Sequence, residues 1–103
     1  MLIVGAGDAA KQVVKELQRS STLRLDSIGF VDDDPRKHNL MLCNLPVLGP
    51  VSAIRGIVEQ DGVAELIIAM PSAPGAFVRK VVRAGLDAGI PTLTVPSLPE
   101  IIS

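Results

Sequence analysis

Leu2-Ile3-Val4-Gly5-Ala6-Gly7-Asp8-Ala9-Ala10 is the stretch that decides the fold. Three apolar residues run straight into a glycine turn, which reads as a buried strand ending in a tight bend. After the bend the pattern changes to helical spacing. Ala9, Ala10, Val13, Val14 and Leu17 share one side, while Lys11, Gln12, Lys15, Glu16 and Arg19 take the other. Strand, G-x-G-x-x-A turn and helix in that order have a physical logic. Gly5 permits the turn, Gly7 lets a phosphate approach the backbone, and Ala10 lets helix and sheet pack closely. Free N–H groups at the helix start, with its dipole, favour an anion. Asp8 sits where a pyrophosphate would come, and as an N-cap it would satisfy the same donors. The alternative is a glycine turn that only joins a strand to a helix.

Working outward, the first helix is expected from Asp8 to Ser20. A second strand follows from Leu25 to Val31, stopped by Asp32-Asp33-Asp34-Pro35. Arg36 to Asn44 reads as a loop with at most a helical turn, and Pro46 to Gly49 as a third strand. Val51 to Gln60 has helical spacing, with Ser52 as a candidate cap and Asp61-Gly62 as its close. Glu65 to Met70 is a fourth strand, and Pro71 to Gly75 a loop. Ala76 to Ala88 is a helix expected to turn Phe77, Val81, Val82 and Leu86 inward, ended by Gly89. Thr92 to Val95 is a fifth strand, and Pro96 to Ser103 starts an exit segment. Right-handed crossovers then give an α/β, Rossmann-like three-layer sandwich: a five-stranded parallel sheet, order 3-2-1-4-5, with helices on both faces.

The 103 residues suffice for one domain, and a chain that opens inside its first strand is equally a natural start or a domain cut from a longer protein. Although 48% of the residues are hydrophobic, the aromatics are Phe30 and Phe77 alone, so Val, Ile, Leu and Ala must fill the core. Ten basic and eleven acidic residues give a net charge of −1, with no footprint for nucleic acid or an anionic membrane. Cys43 is the sole cysteine, which excludes an internal disulfide and a thiolate metal cage and suits a reducing cytoplasm. No apolar run reaches the roughly 18–20 residues that span a bilayer. A signal peptide is not expected either, because Met1 leads directly into strand and turn.

Candidate ligand contacts gather where strands end. Asp32 or Asp33, closing the second strand, is placed to accept the hydroxyls of an adenine ribose, which favours NAD over NADP. Arg36 nearby would tolerate a 2′-phosphate, so NADP stays open; the plainer reading is an acidic turn ahead of Pro35. Pro71 and Ser72 leave the fourth strand beside the first, where such sheets place ligands. Ser72 would bond a phosphate or base, or cap the next helix; Ser97 is a weaker candidate of the same kind. His38 is expected to be a solvated loop residue, without the partners of a triad or metal site. The sequence has no tyrosine, so the Tyr-x-x-x-Lys acid/base pair typical of nucleotide-sugar dehydratases is missing. Catalysis by this chain alone is therefore not expected.

The strings GAGDAA, IGFVDDDP, LPVLGPVSAI, GVAELIIAMPSA and VPSLPEI, in that order, resemble one known domain. It is the N-terminal Rossmann-like (CoA-binding-like) domain of the CapD-type bacterial polysaccharide-biosynthesis nucleotide-sugar epimerase/dehydratase family. The resemblance covers nearly the whole chain. It implies a nucleotide-facing role for Gly5, Gly7, Asp32, Asp33, Pro71 and Ser72 and transfers no catalytic residue; Asp8 and Ala9, at the helix start, join them as candidate contacts, and no metal site is expected. NAD(P), CoA and UDP-sugars are all bound by relatives of this fold, so the resemblance does not select among them; NAD or NADP is the ligand expected, with CoA or a UDP-sugar as alternatives. In that family the domain commonly follows transmembrane helices and precedes a catalytic domain, so the parent protein would be anchored in the inner membrane with this part in the cytoplasm. Related domains precede sugar transferases and sugar N-acetyltransferases. A non-catalytic assembly or regulatory module, self-associating or not, is the rival from another class.

Overall fold

A computed structural model of the chain describes residues 1–19, 27–70 and 73–94. Among these the elements are β1 (Leu2–Val4), α1 (Asp8–Arg19), β2 (Gly29–Val31), β3 (Met41–Leu42), β4 (Leu45–Gly49), α2 (Ile54–Asp61), β5 (Leu66–Ile68), α3 (Gly75–Ala88) and β6 (Thr92–Thr94). Single 3-10 turns occupy Pro35–Lys37 and Val51–Ala53. The expectations for Ser20, Leu25, Asp26, Pro71, Ser72, Val95 and the exit segment from Pro96 fall outside the described residues.

Strand periodicity divides the core into two layers. Ile3 pairs with Phe30 on one side and Ile67 on the other, and Phe30 pairs with Val47. These residues face α1, meeting Ala10, Val13 and Val14. Leu2, Val4, Val31, Leu66 and Ile68 point the opposite way, against Ile54 and Val58 of α2 and Val81 of α3. β1 is therefore sandwiched edge to edge and face to face, and its three residues are fully buried. Their aliphatic makeup follows from that burial on both faces.

The sheet has six strands in the order β3-β4-β2-β1-β5-β6, which corrects the expected five. It is mixed: β3 runs antiparallel to β4, while the other pairings are parallel. The extra strand comes from the stretch expected to be a loop. Met41 pairs with Pro46 and Leu42 with Leu45, leaving Cys43 and Asn44 as a two-residue hairpin turn. Both have positive φ (52° and 64°), as a type I′ turn requires at its two central residues. Neither is glycine, so the usual signal was missing. Glycine at position 44 would adopt this conformation without crowding, so Asn44→Gly should raise stability by about 0.5 kcal/mol, read as a higher urea midpoint.

Two further expectations are corrected. Val82 is 37% and Leu86 74% exposed, whereas Val81, Gly85, Val78 and Ala84 face the sheet side. Gly85 is the cause. A Cβ there would collide with the Thr92 hydroxyl and lie 3.2 Å from the Ile90 carbonyl and 3.3 Å from Leu66 Cδ1, so α3 settles on its bare side. Hydrophobic periodicity cannot register a glycine contact. Ser52 does not cap α2; it lies exposed in the 3-10 turn, and the N-cap position is Ala53, with no side-chain bond. Gly62 and Gly89 close α2 and α3 in left-handed conformation, as expected.

Candidate functional site

The C-terminal edge of the sheet gathers three described features: the glycine turn after β1, the acidic run after β2, and the 3-10 turn after β4. The glycine turn is set by backbone bonds first. The Gly5 N–H donates to the Val31 carbonyl at 2.8 Å, and the Lys11 N–H to the Gly7 carbonyl at 3.2 Å, the first bond of α1. Gly7 is thus the N-cap, and Asp8 the first helical residue. Asp8 does not fill the capping role expected of it: its carboxylate is fully exposed and 3.7 Å from the Lys11 ammonium. The first-turn N–H groups of Asp8, Ala9 and Ala10 have no intrahelical acceptor.

The two glycines differ in what surrounds them. Gly5 is buried at φ 102°, and a Cβ on it would lie 2.5 Å from Met70 Cγ and 3.6 Å from the Ala69 carbonyl. Among the described residues beyond its own chain neighbours, none has an atom within 4 Å of where a Gly7 Cβ would be. Open space therefore lies beside the residue at which the helix amides begin.

The three aspartates after β2 each accept backbone N–H bonds, but from different places. Asp32 turns back under the glycine turn: Oδ2 accepts the Ala6 N–H at 2.9 Å, and Oδ1 the Asp34 N–H at 2.9 Å. Its side chain is 15% exposed, and the Lys37 ammonium stands 3.5 Å from Oδ2. Asp33 points toward the other layer. Oδ1 accepts the Val51 N–H at 2.9 Å, and Oδ2 meets the Lys80 ammonium of α3 at 2.8 Å. Asp34 caps the 3-10 turn through the Arg36 N–H at 3.0 Å and holds the Arg36 guanidinium at 3.0 and 3.1 Å. That guanidinium, then the backbone N–H, brings the Asp34 carboxyl down to about 2.

His38 is half-buried, not the solvated residue expected, with Nε2 2.7 Å from the Asp32 carbonyl oxygen. His38 thereby closes the segment back on Asp32, which is itself bonded to the glycine turn. Periodicity could not reveal this, because the bonds are between side chains and distant backbone. Among the described residues, no group of three or more His, Cys, Asp or Glu is placed to hold a metal ion, and no helix is long and apolar enough to cross a membrane. Pro71 and Ser72 lie outside the described residues, so the structure brings together Gly5, Gly7, Asp8, Ala9 and Asp32 and sends Asp33 toward α3.

The Lys80 ammonium, followed by the Val51 N–H, lowers the Asp33 carboxyl below its ordinary value of 3.8. A carboxylate lowered by folding stabilises the native state above its unfolded value, and that contribution fades as pH falls through the folded one. Lys80→Met should therefore raise the Asp33 value, read by carboxyl NMR titration, and flatten the stability profile below about pH 4. The pair is solvent-exposed, so the loss at neutral pH should stay under about 1 kcal/mol.

Comparison with known proteins places this arrangement. Among curated proteins, the chain is 28% identical over 101 residues to "Probable polysaccharide biosynthesis protein EpsC" of Bacillus subtilis (strain 168), covering 98% of this chain and 17% of that protein. It is 25% identical over 103 residues to "Capsular polysaccharide biosynthesis protein CapD" of Staphylococcus aureus, covering 99% and 17%. The chain thus spans about a sixth of the length of these relatives. Among solved structures, UDP-D-quinovosamine 4-dehydrogenase from Vibrio fischeri matches with a TM-score of 0.81 at 23% identity, over 98% of this chain and 80% of that one. The Rex-family repressor RSP in complex with β-NADH matches with a TM-score of 0.68 at 16% identity, over 98% and 55%. These two likenesses show the shared fold. The profile of the CoA-binding domain family matches residues 1–96, and the chain belongs to that family.

Proposed function

We propose that this chain is the nucleotide-binding domain, without catalysis of its own, of a longer cytoplasm-facing protein that modifies nucleotide sugars for bacterial surface polysaccharide. The observation that carries the reading is the open space beside Gly7 among the described residues, next to first-turn amides of α1 that have no intrahelical acceptor, at the sheet's C-terminal edge. Such amides take up a phosphate without rearrangement. Gly5, Gly7, Asp8 and Ala9 form the seat, and Pro71 and Ser72 are proposed as further contacts. The polysaccharide-biosynthesis relatives support the setting, and the NADH-bound repressor of the same fold supports a dinucleotide. NAD or NADP is the first ligand to test; CoA, favoured by the family, and UDP-sugars are the alternatives.

A thermal-shift panel of NAD, NADP, CoA, ATP and UDP-sugars tests this directly. A ligand at a hundred times its Kd should add about 2.7 kcal/mol of stability. Gly7→Val puts a branched side chain into the seat and should weaken that ligand at least about tenfold while costing the fold less than about 1 kcal/mol. Undiminished binding by this variant would move the seat elsewhere. No shift with any member of the panel would leave assembly of the parent protein as the role, with the exposed Val82 and Leu86 of α3 as the surface to examine. The purified chain should turn over no nucleotide sugar, because it has no tyrosine to serve as the acid/base; activity proportional to protein would refute this.

A further inference from the structure

An acid at the end of the second strand is commonly expected to read the ribose by accepting both its hydroxyls. That use requires the two carboxylate oxygens to face the ligand together. In this chain they do not. Asp32 Oδ2 accepts the Ala6 N–H, inside the glycine turn, and stands 3.5 Å from the Lys37 ammonium; Oδ1 accepts the Asp34 N–H. Only 15% of the side chain is exposed. Asp33, the other candidate, is committed to Val51 and Lys80.

We infer that Asp32 is a positioning residue, an internal anion that fixes the glycine turn through the Ala6 N–H, and that it takes no part in distinguishing a free ribose from a phosphorylated one. This rests on the nucleotide-binding reading for its ligand consequence, but the latch itself stands on the Asp32–Ala6 bond alone. The physical reason for the latch is the turn's geometry. Between Gly5 and Gly7 the chain reverses from strand to helix, and the Ala6 N–H, 26 positions from its acceptor, lies in a part-buried site. A buried donor left unpaired is costly, so the carboxylate holds the turn in the shape that presents the next amides. The pairing with Lys37 keeps the neighbourhood from repelling an incoming phosphate. A nucleotide with or without a ribose phosphate should therefore meet the same Asp32.

The test uses the intact chain and two matched ligand pairs, NAD with NADP and CoA with dephospho-CoA, each differing by one ribose phosphomonoester. Asp32→Ala should weaken all ligands that bind by a common factor of about ten or more, and Asp32→Asn, whose single amide oxygen can keep the Ala6 N–H while giving up the Asp34 N–H, should stay within about threefold of the parent. The NAD:NADP and CoA:dephospho-CoA ratios should hold in both variants. A ratio moving by more than about fivefold in Asp32→Asn would mean that the carboxylate reads the ribose, and would overturn the inference. The ligand-free readout is amide exchange at Ala6 relative to Ala69, whose N–H bonds the Val4 carbonyl and reports opening of the sheet. That relative rate should rise about tenfold or more in Asp32→Ala and be restored in Asp32→Asn. An unchanged rate in Asp32→Ala would overturn the latch. If no nucleotide binds the parent chain, the functional reading fails, while the exchange comparison still decides the latch.

Discussion

Replacing Gly5 with Ala should destabilise the chain by about 3 kcal/mol and lower its melting temperature by about 10 °C or more. The cost has two sources. At φ 102° the residue lies well outside the conformations comfortable for an L side chain, and the new Cβ would meet Met70 Cγ at 2.5 Å. Backbone strain of this kind costs about 1–3 kcal/mol, and forced repacking of a filled interior adds a similar amount. Gly7→Ala is the matched control, because its Cβ enters open space. It should cost less than about 1 kcal/mol, the scale of a helix-cap change. Two glycines two positions apart would then separate cleanly, one needed by the fold and the other by the ligand. Equal melting temperatures for the two variants would refute this division.

Phe30→Ala should be more damaging still, at about 3–5 kcal/mol. Phe30 has no exposed surface and lies in β2 between Ile3 of β1 and Val47 of β4, over the face that α1 covers. Aliphatic neighbours surround it, and no second aromatic ring shares that layer to take up the lost volume. A domain of this size has about 5–15 kcal/mol of total stability, so the variant should lose a large fraction of its folded margin. A urea titration reads the change as a drop in midpoint with unaltered slope. A loss below about 1 kcal/mol would mean that the layer collapses around the gap.

The parallel strands and the three helices were legible because each is announced by apolar spacing and bounded by glycine, proline or aspartate. Gly5, Gly62 and Gly89 carry positive φ where the sequence put turns and helix ends. What escaped reading has a common cause. The β3–β4 hairpin turns on Cys43 and Asn44, which adopt a glycine-like conformation without being glycine. The orientation of α3 depends on Gly85, which contributes no hydrophobicity to count. At the site, the types and positions of Asp32 and Asp33 were evident, but their direction was not. Whether a carboxylate faces a ligand or the Ala6 amide depends on a contact across 26 positions, and no local pattern encodes it.

The sheet's connectivity also governs the order of events when the chain folds. β1 lies at the centre, yet both its partners come later in sequence: Ile3 must find Phe30 and then Ile67. No hairpin can nucleate this pairing, since parallel neighbours need a crossover between them. During synthesis this wholly apolar strand therefore waits, unprotected, until β5 has emerged. Such non-local closure is slow and exposes strand edges to aggregation in the meantime. The antiparallel β3–β4 pair, closed by a two-residue turn, is the one piece of the described sheet that can form early and locally.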